Sequence, residues 1–338
     1  MTLNLPDVQD VAEARRVLGP VAIRTPVLTS EALDRATGGR IFLKCETLQH
    51  TGAFKFRGAY NCLSRLDSAT YPDGVVAYST GNHGLAVSRV GQMLDIAVRI
   101  VMPRDAPAVK IARARAFGAE VILYDRHSQT REAIAARISA RARVAVVPPG
   151  DNPHIIAGQA TVVTEALEDI GAKRVEAVWV PCGGGGLAAG SCLAVQAAGS
   201  SAAVWGVEPE GFDDTRRSLA SGRRETNLAL NGSICDALLA PTPAELPFAI
   251  NGPHLAGAVS VSDAQVLAAI RFAFEELRLV VEPGGAVALA RALARPEDFR
   301  DRTSLIVLSG GNIDKALFEA AMRTDPDGEG AISQPIFL

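Results

Sequence analysis

Apolar residues in this chain gather into short unbroken runs instead of alternating with polar ones. The runs are IFLKC at 41–45, VVAYS at 75–79, AVRIVM at 97–102, EVIL at 120–123, VAVV at 144–147, AVWVP at 177–181, AVWGV at 203–207 and SLIVL at 304–308. Their length and β-branched content predict buried strands. Between them, 107–117, 128–142, 157–170 and 262–277 carry apolar residues at helical spacing, the last opened by Ser262 and Asp263 as caps. Strands that are apolar on both faces and separated by helices predict parallel sheets covered on both sides, an α/β architecture. No internal repeat interrupts the pattern. The Pro148-Pro149-Gly150 turn is the strongest punctuation and reads as a crossing between domains.

Length and composition sharpen this picture. At 338 residues the chain suits one large or two interlocked α/β domains, and 48% hydrophobic with 21% charged residues is a globular composition. A formal charge of −3 gives no reason to expect a nucleic-acid or anionic-membrane partner. No apolar run approaches a membrane span, and MTLNLPDVQD lacks a secretory pattern, so a cytoplasmic protein is expected. The five cysteines are odd in number with no C-x-x-C pair, which fits free thiols.

Three segments carry candidate chemistry. In TGAFKFRGAY at 51–60, Lys55 lies between Phe54 and Phe56, with Gly52 and Gly58 permitting close backbone approach. Apolar neighbours strip water from an amine, lower its pKa and free it as a nucleophile. A solvated lysine on an amphipathic helix is the plainer reading of this segment alone. In AVWVPCGGGGLAAG at 177–190, Gly183 to Gly186 stand between a strand and a helix. Their N–H groups and the helix start make a phosphate cradle. Gly183, Gly185 and Ala188, with Glu208 ending the next strand, also satisfy a dinucleotide fingerprint, although that motif usually opens its domain. In VVAYSTGNHGLAVS at 75–88, Ser79, Thr80, Gly81, Asn82 and His83 offer donors at a strand-to-helix turn suited to a substrate carboxylate. Ordinary capping by Ser79 or Thr80 is the alternative, and His83 reads as structural before it reads as a base. A phosphate cradle, a desolvated lysine and a carboxylate turn together point to pyridoxal phosphate and an amino acid, with the lysine forming the imine.

At these residues the chain resembles the serine/threonine dehydratase and serine racemase family, the fold-type II pyridoxal-phosphate enzymes, in order and over nearly its whole length. The resemblance implies two α/β domains of the tryptophan synthase β type with the site in the cleft between them. The large domain would comprise 1–73 and 150–338, and a small mobile domain 74–149. It makes Lys55 the coenzyme-bearing lysine and the base at Cα, with Phe54 and Glu282 also at the coenzyme. STGNHG is similar to the family's asparagine loop, placing Asn82 under the pyridine O3′ and the loop backbone on the substrate carboxylate. CGGGGL implies Gly183, Gly184, Gly185, Gly186 and Leu187 as phosphate donors. LSGGNID implies Ser309 as the partner of the pyridine nitrogen. A hydroxyl there does not force that nitrogen to stay protonated, so the ring is a weaker electron sink and elimination is favoured over transamination. VEPEGFDD resembles a cation-binding stretch, implying Glu208, Asp214 and the carbonyl of Phe212 as oxygen ligands for Mg²⁺, Ca²⁺ or Mn²⁺. The plainer reading of that stretch is a helix start decorated with acids.

The implied activity is conversion of L-serine or L-threonine to a 2-oxo acid and ammonia. 3-Hydroxyaspartate, phenylserine or a hydroxyectoine-derived amino acid remain alternatives, as does amino-acid racemization, and a homodimer is implied. The sequence departs from the family at Ala53, where serine is usual, and at Thr80, which the resemblance makes a second catalytic candidate, where racemizing members carry a serine that handles the proton on the face opposite the lysine. Asp236-Ala237 replaces D-G, and Gly158-Gln159-Ala160-Thr161 replaces G-Q-G-T. Because the sequence ends soon after SGGNID, no isoleucine-regulated domain is expected.

Overall fold

The computed structural model describes residues 3–323 except Thr80, Asp105, Pro107, Arg126, His127 and Leu230. In chain order its strands are β1 Val27–Leu28, β2 Arg40–Cys45, β3 Val75–Tyr78, β4 Val98–Pro103, β5 Glu120–Tyr124, β6 Ala145–Val146, β7 Ala177–Pro181, β8 Ala203–Pro209, β9 Gly257–Val261 and β10 Thr303–Leu308. They form two sheets: six strands in the order β1-β2-β10-β7-β8-β9, and four in the order β5-β4-β3-β6. Every pairing is parallel except β1 with β2. All eight apolar runs became strands. The two strands that the pattern did not announce lie at opposite edges of the larger sheet. β1 is two residues long, and β9 buries only Ala258 and Val261 of its five.

Side-chain alternation explains why the runs are apolar throughout. Along β10, Leu305 and Val307 enter the core on one face, with Val178, Val180 and Val204. Ile306 and Leu308 enter the core on the other, with Ile41, Leu43, Trp179 and Val207. Both faces of the strand are therefore dry. The smaller sheet repeats the scheme, with Val75, Ala77, Ile100 and Met102 on one side and Val76, Val101 and Tyr124 on the other.

The predicted helices form with shifted starts. The helix Pro153–Ile170 begins four residues earlier than its apolar pattern, because the Asn152 side chain accepts from His154 and Ile155 N–H and Pro153 suits the first turn. The helix Arg131–Arg141 begins later than its pattern, directly after Thr130. The Pro148-Pro149-Gly150 turn links β6 of the smaller sheet to the helix Pro153–Ile170. No helix among the described residues is long and apolar enough to cross a membrane.

One cluster defies the rule that charges stay outside. Lys44 and Arg57 are fully buried. Lys44 Nζ donates to Thr25 O (2.8 Å) and Glu165 Oε2 (2.7 Å), while Arg57 holds both oxygens of Glu46 (2.8 and 2.8 Å) and of Glu165 (2.7 and 2.8 Å). Two cations meet two carboxylates, so the group is neutral overall and its charges can stay dry. It ties β2 and the helix Pro153–Ile170 to the helix that Lys55 begins.

Candidate active site

Lys55 starts the helix Lys55–Leu63 directly after a tight turn in which Gly52 takes φ +74°. Ala53 bridges Gly310, and Phe54 N–H donates to Ser309 O at 3.0 Å, so the lysine turn lies against the end of β10. The residue as a whole is partly buried, but its amine is enclosed: Nζ donates to Pro149 O at 2.6 Å and lies 5.0 Å from the Phe54 ring centre. Burial lowers the Lys55 pKa to about 8. This is the desolvated amine of the sharper reading, and the solvated lysine is set aside. Gly58 permits the close backbone approach expected of it, and the partner is another helix. A Cβ there would meet the Gln159 side chain at 2.3 Å, because this helix crosses Pro153–Ile170 at Gly58 and Gly158.

The glycine quartet follows β7 and opens the helix Gly186–Ala197. Gly185 takes φ +89°, a Cβ on Gly183 would strike Leu238, and Gly186 faces Gly150. A Cβ on Gly184 would enter space open to 4 Å. Gly186, Leu187 and Ala188 are the first residues of the helix, so their N–H groups have no partner within it. Gly150 adjoins Pro149, whose carbonyl holds the Lys55 amine. The amine and the quartet therefore border one space.

The third segment closes it from the smaller sheet. The helix Asn82–Leu94 begins at Gly81 with no side-chain cap, and Ser79 Oγ accepts from Gly81 N–H instead (3.2 Å). Among the described residues no side chain caps the first-turn amides, so Ser79 does not supply the cap. Thr80 lies outside the described residues. Asn82 Oδ1 accepts from Asn312 Nδ2 at 2.8 Å, and Asn82 Nδ2 donates to Glu282 Oε1. Glu282 precedes the helix Pro283–Ala294, and its carboxyl is pushed up to about 7 by burial and then by the charge of Asp236. His83 Nε2 meets Val147 O at 3.0 Å, so that nitrogen carries the proton, and Nδ1 is buried without a partner among the described residues. Burial and the nearby Lys55 charge lower its pKa to about 3, so this imidazole stays neutral.

Asn312 is the contributor that sequence reasoning passed over. It fixes the Asn82 amide, also donates to Thr51 O (2.7 Å) and receives Arg113 Nη1 (3.2 Å). It stands inside LSGGNID, three residues after Ser309, yet nothing in that string announces an amide partner 230 residues away. Within electrostatic reach of Glu282, Lys110 Nζ pairs with Asp236 Oδ2 at 3.1 Å. Burial opposes its charge, but Asp236, Asp314 and Glu282 outweigh that and raise its pKa.

The proposed cation ligands lie behind the quartet, where Thr215, held by Glu208, meets Cys182 Sγ at 3.4 Å. Glu208 Oε1 and Oε2 accept from Thr215 N (2.8 Å) and Arg216 N (2.9 Å), capping the helix Asp214–Ser221. That occupies the carboxylate which the dinucleotide reading needed for a ribose. Asp214 Oδ1 accepts from Asn227 (2.6 Å), while its Oδ2 is buried without a partner among the described residues. Glu208 is pushed up to about 8 by burial and by Asp214, and Asp214 up to about 6 by burial. The Asp214 oxygen is thus orphaned while both Glu208 oxygens are taken by backbone N–H groups. Among the described residues no group of three or more His, Cys, Asp or Glu side chains gathers as a metal centre.

Two parallel-rich sheets and a cleft holding an enclosed lysine beside a glycine quartet define a pyridoxal-phosphate enzyme of fold type II. The chain belongs to the pyridoxal-phosphate dependent enzyme family, which matches residues 19–310. Among its relatives, an L-threo-3-hydroxyaspartate ammonia-lyase of a Pseudomonas species is 38% identical over 92% of this chain and 97% of that one. A serine racemase of Schizosaccharomyces pombe is 37% identical over 92% of this chain and 96% of its own. Among solved structures, maize serine racemase superposes with a TM-score of 0.87 at 33% identity, covering 94% of this chain and 97% of that one.

Proposed function

We propose that this chain is a pyridoxal-phosphate-dependent ammonia-lyase for a small β-hydroxy amino acid, with L-threo-3-hydroxyaspartate preferred to L-serine or L-threonine. The enclosed Lys55 amine, bordering the same space as the glycine quartet, Asn82 and Ser309, carries the reaction class. The Pseudomonas relative supports the dicarboxylic substrate over the serine or threonine first expected. A second carboxylate also needs a cation, and Lys110, now paired with Asp236 and within electrostatic reach of Glu282, is a candidate that would exchange partners.

Pyridoxal phosphate, when bound, supplies a ring that withdraws electrons from Cα of the attached amino acid. Gly183 to Gly186 and Leu187 would hold its phosphate, and the Ser309 hydroxyl would meet the ring nitrogen. Asn82, its amide direction set by Asn312 and Glu282, would sit beside the ring. The helix start at Asn82 and His83, with the Ser79–Gly81 loop, receives the substrate carboxylate. A pKa of about 8 leaves part of the Lys55 population neutral at pH 7, so its amine takes the Cα proton. That proton then leaves with the β-hydroxyl as water. The enamine product hydrolyses in solution to a 2-oxo acid and ammonia. Residues 74–149, which contain the whole smaller sheet, would close the cleft as a unit. Glu208, Asp214 and the Phe212 carbonyl would hold a Mg²⁺, Ca²⁺ or Mn²⁺ ion as a structural element. The working form is a cytoplasmic homodimer.

The test is 2-oxo acid release from L-threo-3-hydroxyaspartate, L-serine and L-threonine, with chiral analysis of the remaining amino acid. The expected order of kcat/KM puts the dicarboxylic substrate first. Faster turnover of serine or threonine overturns that preference, and D-serine accumulating ahead of 2-oxo acid favours the racemase reading that the S. pombe relative supports. Lys55→Ala should abolish both turnover and the visible absorbance of the purified protein; retention of either removes Lys55 from its role.

A further inference from the structure

The helix Glu245–His254 lies against the outer side of the glycine quartet, and one of its side chains is oddly placed. Asn251 is 1% exposed, yet only half of its amide is satisfied. Nδ2 donates to Gly185 O at 3.1 Å, while Oδ1 is buried without a partner among the described residues. A buried amide with an unmet acceptor costs stability, and an apolar residue of the same shape would avoid that cost. What the amide does provide is an anchor for the loop.

A loop whose N–H groups converge on an anion must turn its carbonyls outward, where they need donors. Here Gly184 O accepts from Ala244 N at 3.1 Å, and Gly185 O accepts from Ala189 N at 2.9 Å and from Asn251. A trans peptide is rigid and points its C=O and the following N–H in opposite directions. Fixing Gly184 O therefore aims the Gly185 N–H, and fixing Gly185 O aims the Gly186 N–H. The fit is close, since a Cβ on Gly185 would stand 2.7 Å from Asn251 Nδ2 and 3.1 Å from Pro247 Cβ. The helix is itself tied to the lysine side of the cleft, because Leu246 N–H donates to Asp151 Oδ1 at 2.8 Å, two residues beyond Pro149.

We propose that Asn251 is a positioning residue for the coenzyme phosphate, acting through the Gly185–Gly186 peptide. This rests on the quartet being the phosphate cradle. The experiment measures the affinity of the full-length chain, freed of coenzyme, for pyridoxal phosphate and for pyridoxal, which lacks the phosphate. Binding is followed by fluorescence of the chain's two tryptophans, Trp179 and Trp205, which stack on the neighbouring strands β7 and β8, β7 being the strand that leads into the loop. Asn251→Leu should weaken pyridoxal phosphate roughly three- to tenfold, the equivalent of about one hydrogen bond, and leave pyridoxal unchanged. The melting temperature of the coenzyme-free variant should equal or exceed that of the parent. Pyridoxal phosphate affinity within about twofold of the parent, or equal weakening of both ligands, overturns the proposal. Asn251→Asp keeps the shape but not the donor and should show the same selective loss; if the leucine variant does not fold, this one decides. Gly184→Asp separates the two levels of inference, because its side chain enters open space and puts a carboxylate at the cradle. Selective loss in Gly184→Asp but not at Asn251 sinks the positioning role alone. No selective loss in either sinks the cradle with it.

Discussion

Gly310 offers a perturbation whose size can be worked from geometry. A Cβ at this position would lie 2.1 Å from Glu282 Oε1, 3.0 Å from its carboxyl carbon and 3.2 Å from Ala53 Cβ. Gly310 does not need a left-handed backbone, so Gly310→Ala adds a methyl without backbone strain. The nearest atom belongs to the far end of a flexible side chain, which moves more cheaply than the backbone. Reaching ordinary contact requires the carboxyl to retreat by about 1.3 Å. That carries the Asn82–Glu282 hydrogen bond out of range and leaves the Asn82 amide held only by Asn312. Loss of a buried bond to a carboxyl costs about 1.5–3 kcal/mol, so kcat/KM should fall roughly ten- to a hundredfold. The assay is steady-state 2-oxo acid release, with the visible spectrum recorded to confirm bound coenzyme. Gly252→Ala, where the added methyl also meets nothing, at an exposed helix position outside the site, is the matched control for folding. A Gly310→Ala enzyme within about twofold of the parent would show that the Asn82–Glu282 contact does not matter to turnover.

Three further outcomes are expected. The rate of coenzyme capture by the free chain should rise about tenfold per pH unit up to about pH 8 and then level, because capture needs the neutral amine and burial lowers Lys55 to about 8; a rise continuing through pH 10 would mean an ordinary solvated lysine. Arg57→Ala should cost about 3–5 kcal/mol in denaturant unfolding, since it leaves the buried Glu46 and the partly buried Glu165 with only Lys44 to balance them; a loss below about 1 kcal/mol would contradict the account of that cluster. Millimolar Mg²⁺ or Ca²⁺ should raise the melting temperature of the parent but not of Asp214→Asn, and equal shifts in both would reduce the effect to general salt.

What the sequence disclosed and what it withheld follow from the range of the interactions involved. Lys55, the quartet and Ser309 sit at strand or turn junctions whose unusual composition is local, and the eight apolar runs needed only their own residues to predict strands. β9 escaped because an edge strand buries one side and Gly257 breaks its apolar run. Lys44 and Arg57 resemble surface charges in isolation, and their burial depends on Glu165, more than a hundred residues away. Asn251 and Asn312 act through amide groups whose partners lie 66 and 230 residues distant, and no periodicity encodes an amide's direction. Arg65 tells the same story in miniature: it looks like a free helix-end charge, yet it pairs with Glu13 (3.6 Å) from the first helix of the chain.

The strand order of the larger sheet has a consequence for how the protein is made. β10, the last strand among the described residues, is inserted between β2 and β7. Until it emerges from the ribosome, those two strands present bare edges to the cell and the sheet exists as separate halves. Ser309 and the carbonyl that orders Phe54 arrive with that same strand. A nascent chain therefore cannot assemble its cofactor pocket piecemeal, and coenzyme loading should coincide with closure of the sheet as a late, all-or-none event of biosynthesis.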